Sequence, residues 1–226
     1  MNYLFYEEWY SNRVNKIVDI LGKDWFAGKS ILELGSCYGD IGISLLKLGA
    51  KVHFTDVREE HLTHITTRLA QYDITPETTI LNQNYQYDLK RKYDLILHQG
   101  ILYHIENWKQ DLICALQHSN MMFLETLVTP QKGAPDQWLD AGPEGPYESH
   151  NCKVPLFTQE SVEDVLMRLG CKFLRLDSNS LNTNITWGSG DALLRNVYDW
   201  NYNNVDMYDS DTEVLTRFRR MWLVIK

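Results

Sequence analysis

The stretch Ser30-Ile-Leu-Glu-Leu-Gly-Ser-Cys-Tyr-Gly-Asp-Ile-Gly-Ile-Ser-Leu-Leu46 constrains the fold of this chain more than any other. An apolar run carrying one acid, Glu33, reads as a buried strand. Gly35 and Gly39 bracket a tight turn, and Ile41, Leu45 and Leu48 then recur at helical spacing. The glycines let a backbone approach a ligand closely, and the helix start presents free N–H groups to it. A second strand, Lys51-Val-His-Phe-Thr-Asp56, ends in an acid about 20 residues on, where a doubly wound sheet holds a ribose hydroxyl.

The rest of the chain extends that pattern. Leu62, Ile65, Leu69 and Tyr72 mark a helix face, and Pro76 stops the chain before a short strand from Thr78 to Leu81. Tyr93 to His98 is continuously apolar, as in a parallel strand covered on both faces. Asn107 with Gln110 predicts a capping box, with Trp108, Leu112 and Leu116 facing inward. Met121 to Val128 is the next strand. Thr158 caps a helix that Gly170 ends, and Cys171 to Leu176 is a sixth strand. Arg220 to Ile225 is the last. The expected fold is a doubly wound, Rossmann-like, seven-stranded α/β sheet, mostly parallel, with an antiparallel last strand and helices on both faces. At 226 residues and 44% hydrophobic content the chain reads as a single domain, 1–226. Residues 1–29 form an N-terminal helical lid, with a helix from Glu7 to Leu21 that carries Trp9, Arg13, Val14, Ile17 and Ile20. Residues 129–157 read as one long loop and 178–217 as an insertion, both on the substrate side.

The glycine spacing separates two ligand classes. A dinucleotide fold uses G-x-G-x-x-G, because a pyrophosphate sits against the helix start. Here the pattern is Glu33-x-Gly35-x-Cys37-x-Gly39. It resembles the acid-x-Gly-x-Gly-x-Gly motif of class I S-adenosylmethionine-dependent methyltransferases, with Cys37 at the middle glycine. Gly100-Ile-Leu-Tyr-His104, Glu125-Thr-Leu-Val128 and the return through Pro155 further resemble the tRNA wobble-uridine carboxymethyltransferases, over about residues 30 to 175. That family has a long N-terminal extension and basic surfaces, whereas this chain is acidic and has about thirty residues ahead of its first motif.

The resemblance implies S-adenosyl-L-methionine as cofactor, held by Glu33, Gly35, Ser36, Cys37, Tyr38 and Gly39, by Asp56 and Val57, by Asn84 and Tyr85, and by Gln99 and Gly100. Both Asp56 oxygens suit ribose hydroxyls, and the acid reads as lying near solvent. By the same resemblance Glu33 lies near the methionine amino group. Asn84 has two readings, as an acceptor for the adenine amine through its side-chain carbonyl or as a turn former. Tyr103 and His104 are the candidate catalytic pair. His104 takes a proton from the acceptor in one reading, and caps a helix or packs under the methionine tail in another. Tyr3, Phe5, Tyr6, Trp9 and Tyr10 either pack on the sheet or cage a sulfonium.

Other features set limits. The net charge of −8 argues against a broad phosphate-binding surface. Arg217-Phe-Arg-Arg220 reads as a solvated start to the last strand, and His61 and His64 as solvated histidines. Cys37, Cys114, Cys152 and Cys171 are scattered, so a disulfide framework is not expected and a reducing, cytoplasmic setting is. No metal site is expected, His150 and Cys152 included. No apolar run reaches the roughly 18–20 residues of a membrane span. The leading function is methyl transfer to an O or N of a small-molecule acceptor. Alternatives are a tRNA wobble-uridine (carboxy)methyltransferase, a non-catalytic S-adenosylmethionine-binding module, and a nicotinamide enzyme, which the glycine spacing disfavours. The acidic loop residues Asp136, Asp140, Glu144 and Glu148 point to an uncharged or cationic acceptor rather than nucleic acid.

Overall fold

Alternating side-chain directions sort the central strands into two apolar faces. In a computed structural model that describes residues 7–129, 137–140, 153–176, 178–187, 192–198, 208–209 and 214–226, strand β1 (Ser30–Leu34) sends Ile31 to one face and Leu32 and Leu34 to the other. Strand β4 (Leu95–Gln99) does the same with Leu95 and Leu97 against Ile96, and β5 (Met121–Leu127) with Phe123 against Met122 and Leu124. This period of two is the geometry of a strand buried on both sides. Helices α1 (Glu7–Leu21), α2 (Asp40–Leu46) and α3 (Glu59–Ala70) supply Ile17, Ile41, Leu45 and Ile65 to the first face. Helices α4 (Trp108–His118) and α5 (Gln159–Arg168) supply Leu112, Ala115, Val162 and Leu166 to the second.

With β2 (Lys51–Asp56) and β3 (Glu77–Ile80), the parallel strands run in the order β3-β2-β1-β4-β5. The long strand β12 (Val214–Ile225) then enters antiparallel. Its second half lies between β5 and β8 (Lys172–Arg175), with Trp222 opposite both Leu124 and Arg175. The expected seven-stranded core is therefore present.

The structure goes beyond it in the two insertions. Residues 129–157 are not one loop, because β6 (Gln137–Asp140) and β7 (Lys153–Leu156) pair as an antiparallel ladder. In the second insertion β9 (Thr183–Trp187) and β10 (Ala192–Val197) extend the sheet past β12, and β11 (Tyr208–Asp209) pairs with β12 as well. Because β12 runs against β5, its first half overhangs the carboxyl edge of the parallel strands, and this added sheet stands over the ligand side. The last strand thus starts six residues before the expected Arg220.

Two local expectations are corrected. Asn107 makes no side-chain cap on α4; its Nδ2 donates to the Asn84 carbonyl at 2.9 Å, and Gln110 lies against Cys114 instead. The Arg217–Arg220 segment is not solvated throughout, because Arg219 and Arg220 are 1% and 2% exposed. Thr158 does cap α5, accepting from the Ser161 amide at 3.1 Å. Among the described residues no helix is long and apolar enough to cross a membrane.

One buried acid ties α5 to β8 and β12. Glu163 accepts from Arg175 Nε and Nη2 at 2.8 and 2.6 Å and from the Trp222 indole N–H at 2.9 Å. Arg175 is half exposed and its share is screened. The buried indole N–H is not, and leaving it unpaired costs about 1–3 kcal/mol. Glu163→Ala should therefore lower unfolding stability by about 2 kcal/mol, and Glu163→Gln, which keeps an acceptor, by less than half of that. Urea denaturation of the three proteins checks both values.

Candidate active site

The glycine turn is stitched to β2 by short bonds. Ser36 N–H donates to the Thr55 carbonyl at 2.8 Å, and Ser36 Oγ donates to the Glu33 carbonyl while accepting from the Thr55 amide. Gly35 has φ +64°, and a Cβ there would sit 2.6 Å from the Ile101 side chain. Cys37 also lies in the left-handed region, at φ +48°. Cysteine at the middle glycine is thus carried at a conformational cost of order 1 kcal/mol. Tyr38 packs between the rings of His61 and His64, and its carbonyl accepts from Arg68. Gly39, at φ +74°, opens α2.

Asp56 is buried, not near solvent, and both its oxygens are used. Oδ2 accepts from the Cys37 amide at 2.8 Å, Oδ1 accepts from the Arg58 amide at 3.0 Å, and His61 Nδ1 lies 3.1 Å from Oδ1. Burial alone would raise this carboxyl. The His61 contact and the two amides outweigh it and hold the group below the usual carboxylate range. His61 is therefore a 2%-exposed partner of the site acid and not a solvated residue, and His64 is half-buried. Val57, the next residue in the chain, is also half-buried.

Glu33 behaves in the opposite way. Its Oε1 accepts from the Gly42 amide at 3.2 Å, whereas Oε2 is buried without a partner. Burial, only partly offset by that amide, pushes its carboxyl up to about 8, so it carries a proton at neutral pH. The amide nitrogen and oxygen of Gln99, at the end of β4, are also buried without partners. Unsatisfied polar atoms toward the carboxyl ends of β1 and β4 are what a bound polar ligand would complete.

At the end of β3 the adenine-side expectation changes. Asn84 Oδ1 accepts from the Glu106 amide at 2.7 Å, so the carbonyl meant for an adenine amine is engaged in fixing the segment before α4. Gln83 turns inward to Asp111, which also meets His98 Nε2 at 2.6 Å and the Tyr87 hydroxyl at 3.1 Å. Tyr85 is 71% exposed.

Tyr103 and His104 lie on the short 3-10 turn Leu102–His104 after β4, with ring centroids 4.0 Å apart. The Tyr103 hydroxyl accepts from Arg219 Nη2 at 3.2 Å. Burial first, then Arg219, Arg217 and Arg58, push His104 down to about 3. The imidazole is neutral at pH 7, but a base this weak takes little of a transferring proton.

A buried cluster at the end of β5 was not expected. Glu125, wholly buried, accepts from Arg219 Nη1 at 3.0 Å and the Tyr198 hydroxyl at 3.1 Å on Oε1, and from Arg13 Nη1 at 3.2 Å on Oε2. Trp9 donates to the Tyr198 hydroxyl at 3.0 Å, and the guanidiniums of Arg13 and Arg219 lie 3.9 and 4.4 Å from its ring centre. Trp9 thus packs within the protein; Tyr3, Phe5 and Tyr6 lie outside the described residues. The signal was present in the sequence: an acid inside an otherwise apolar strand needs buried cationic or hydroxyl partners. His150, Cys152, Asp136, Glu144 and Glu148 also lie outside the described residues, as does the side chain of Asp140.

The sequence profile of a family described as lysine methyltransferase matches residues 4–131, more than half of the chain. No curated protein sequence matches. Among solved structures, an S-adenosylmethionine-dependent methyltransferase from Clostridium acetobutylicum is similar with a TM-score of 0.62 at 14% identity, covering 96% of this chain and 91% of that one. The N-terminal domain of EvdMO1 with S-adenosylhomocysteine bound gives 0.61 at 19% identity, covering 75% and 76%. Magnesium protoporphyrin IX methyltransferase from Synechocystis with bound S-adenosylmethionine gives 0.58 at 12%, covering 96% and 80%. The finer wobble-uridine resemblance rests only on the residues quoted for it.

The inverted ionisation of Glu33 has a measurable consequence. Its folded value of about 8 lies above the ordinary 4.5, so between those values the folded chain binds more protons than the unfolded one. That contribution is full below pH 4.5 and is lost as pH rises toward 8. Relative to Glu33→Gln, wild-type stability should fall between pH 5 and 8 by up to about 1.4 kcal/mol per pH unit. Denaturant titrations at four pH values check the difference, which also cancels the opposite trend from His104.

Proposed function

The chain belongs to the lysine methyltransferase family, and on that premise we propose that it moves a methyl group to an oxygen or nitrogen of a small-molecule acceptor. It is an S-adenosylmethionine-dependent enzyme. When bound, S-adenosylmethionine supplies an activated methyl on a sulfonium leaving group. The residues proposed to hold it are those of the glycine turn, Glu33 to Gly39, with Asp56 and Val57, Gln99 and Gly100. Asn84 and Tyr85 form the adenine side, with Asn84 acting through the segment it fixes. The observation that carries this reading is the pairing of the turn with unsatisfied buried atoms of Glu33 and Gln99 around it.

Asp56 is poised for the ribose because its carboxylate stays ionised despite burial. Glu33, protonated when no ammonium is near, becomes a partner for one by giving up that proton. Methyl displacement depends mainly on alignment, so the chain's task is to orient the acceptor and exclude water. We assign Tyr103 and His104 to that positioning, given how weak a base His104 is. Small acceptors are favoured because β7 packs against the 102–104 turn and the added strands overhang the same edge. The functional unit is proposed to be one domain, with 1–29 and the two insertions on the acceptor side. The scattered cysteines suit a cytoplasmic setting. The family match favours a second reading, in which the acceptor is the amine of a protein lysine. Release of S-adenosylhomocysteine from a panel of small oxygen and nitrogen acceptors, run beside lysine peptides, separates the two.

Asp56→Ala should weaken S-adenosylhomocysteine binding by about 1.5–3 kcal/mol, the worth of charged hydrogen bonds to a ribose. It should also lower the melting temperature, because the same carboxylate pins Cys37 and Arg58. Calorimetry and a thermal melt on one preparation check both. Unchanged affinity in a folded variant would exclude Asp56 from the cofactor site.

A further inference from the structure

The side of α3 that meets the glycine turn carries His61, His64 and Arg68, spaced to share one helix face. Tyr38 packs between the two imidazoles, with ring centroids 5.0 and 4.7 Å away. Arg68 Nη1 donates to the Tyr38 carbonyl and, at 2.7 Å, to Asp40 Oδ1. One helix thus grips the turn at Tyr38 and at the first residue of α2. His61 reaches one step further, to the site acid. Its Nδ1 lies 3.1 Å from Asp56 Oδ1, out of line for a well-formed hydrogen bond yet within ion-pair reach. Its Nε2 is buried without a hydrogen-bond partner among the described residues.

A buried imidazole with an idle nitrogen carries a cost, and the contacts that offset it are those to Asp56 and Tyr38. The partner also decides where the proton sits. Asp56 accepts from the Cys37 and Arg58 amides, and a bare Nδ1 would set a lone pair against the same carboxylate. Nδ1 therefore bears a proton. We propose that His61 is a positioning residue for cofactor recognition: through its Nδ1 proton it holds the Asp56 carboxylate ionised and oriented for the ribose hydroxyls. The proposal rests on the reading of Asp56 as the ribose acid.

The arrangement leaves room for the ligand. A carboxylate offers about four acceptor positions, and two amides and one imidazole occupy at most three. Burial raises the Asp56 carboxyl, and the His61 contact is the largest of the causes that hold it down. Without that contact the acid keeps less of its charge, and a hydrogen bond from a hydroxyl to a neutral carboxyl is weaker than one to a carboxylate.

Two measurements test the role. Nitrogen-15 NMR of histidine-labelled wild type, with the His61 signals assigned by their loss in His61→Asn, reads the proton directly. A proton on Nδ1 is expected; a His61 protonated on Nε2 alone overturns the proposal. Calorimetry then compares S-adenosylhomocysteine with its 2′,3′-dideoxy analogue in wild type, Asp56→Ala, His61→Leu and His61→Asn, each shown to be folded by its thermal melt. Wild type should prefer the intact ligand by about tenfold or more, and His61→Leu by less than about threefold. His61→Asn, whose amide N–H stands in for Nδ1–H, should recover most of the preference. Affinity for the dideoxy ligand should stay within about twofold in the His61 variants, which a collapsed turn would not allow. His61→Gln, whose N–H groups reach past the Nδ1 position, replaces His61→Leu if that variant does not fold. A preference that the folded leucine or glutamine variant retains overturns the role of His61. So does an equal loss of both ligands, or an asparagine variant that recovers nothing. If wild type shows no preference, or folded Asp56→Ala keeps it, the ribose reading of Asp56 fails and this proposal fails with it.

Discussion

The hydrogen bond from the Cys37 amide to Asp56, 2.8 Å long, is the contact on which the ligand side of the sheet depends. It crosses from the turn after β1 to the end of β2, two strands that already pair in parallel through Leu34 and Thr55. With that bond made, Cys37 stays in its left-handed conformation, Gly39 opens α2, and the turn keeps the shape that leaves a backbone face open. The same carboxylate caps the start of the next segment through the Arg58 amide. Stability and ligand binding therefore draw on one buried group. The acid remains ionised because donors surround it, which is what a ribose would find.

The second constraint is the way α1 is anchored. Its apolar face carries Ile17 into the core, while Trp9 and Arg13 extend toward Glu125 and Tyr198. Residues from α1, β5, β12 and the segment after β10 converge on one carboxylate. A network of this kind specifies where α1 sits more sharply than apolar packing does, because each polar member loses its partners if the helix shifts. The first helix and the added strands are in this way coupled directly to the end of β5.

Much of the core was legible in the sequence, for identifiable reasons. Strands β1, β4 and β5 are mainly apolar runs, β1 and β5 each carrying one acid, α3 and α5 have clear apolar faces, and Gly35, Gly39 and Asp56 stand at the spacings the turn requires. Strands β6, β7, β9, β10 and β11 were not legible, since Thr183-Asn-Ile-Thr-Trp187 and its neighbours mix polar and apolar residues in short pieces without helical or buried-strand signatures. Side-chain engagement was the other blind spot. His61, Arg219 and Arg220 read as solvated groups and Asn84 as an adenine acceptor or a turn former, yet His61 is held by buried Asp56 and the others by partners distant in the chain. Polar residues reveal burial only when their partners are known, and Glu125 inside an apolar strand was the clearest pointer to where those partners gather.

The central claim is that a glycine turn with cysteine at its middle position, clasped by Asp56, accepts a sulfonium nucleoside and not a pyrophosphate. Isothermal titration of the wild-type chain with S-adenosylhomocysteine and with NAD tests it most directly. The account predicts saturable binding of S-adenosylhomocysteine and none of NAD; tight NAD binding, or binding of neither ligand, would contradict it.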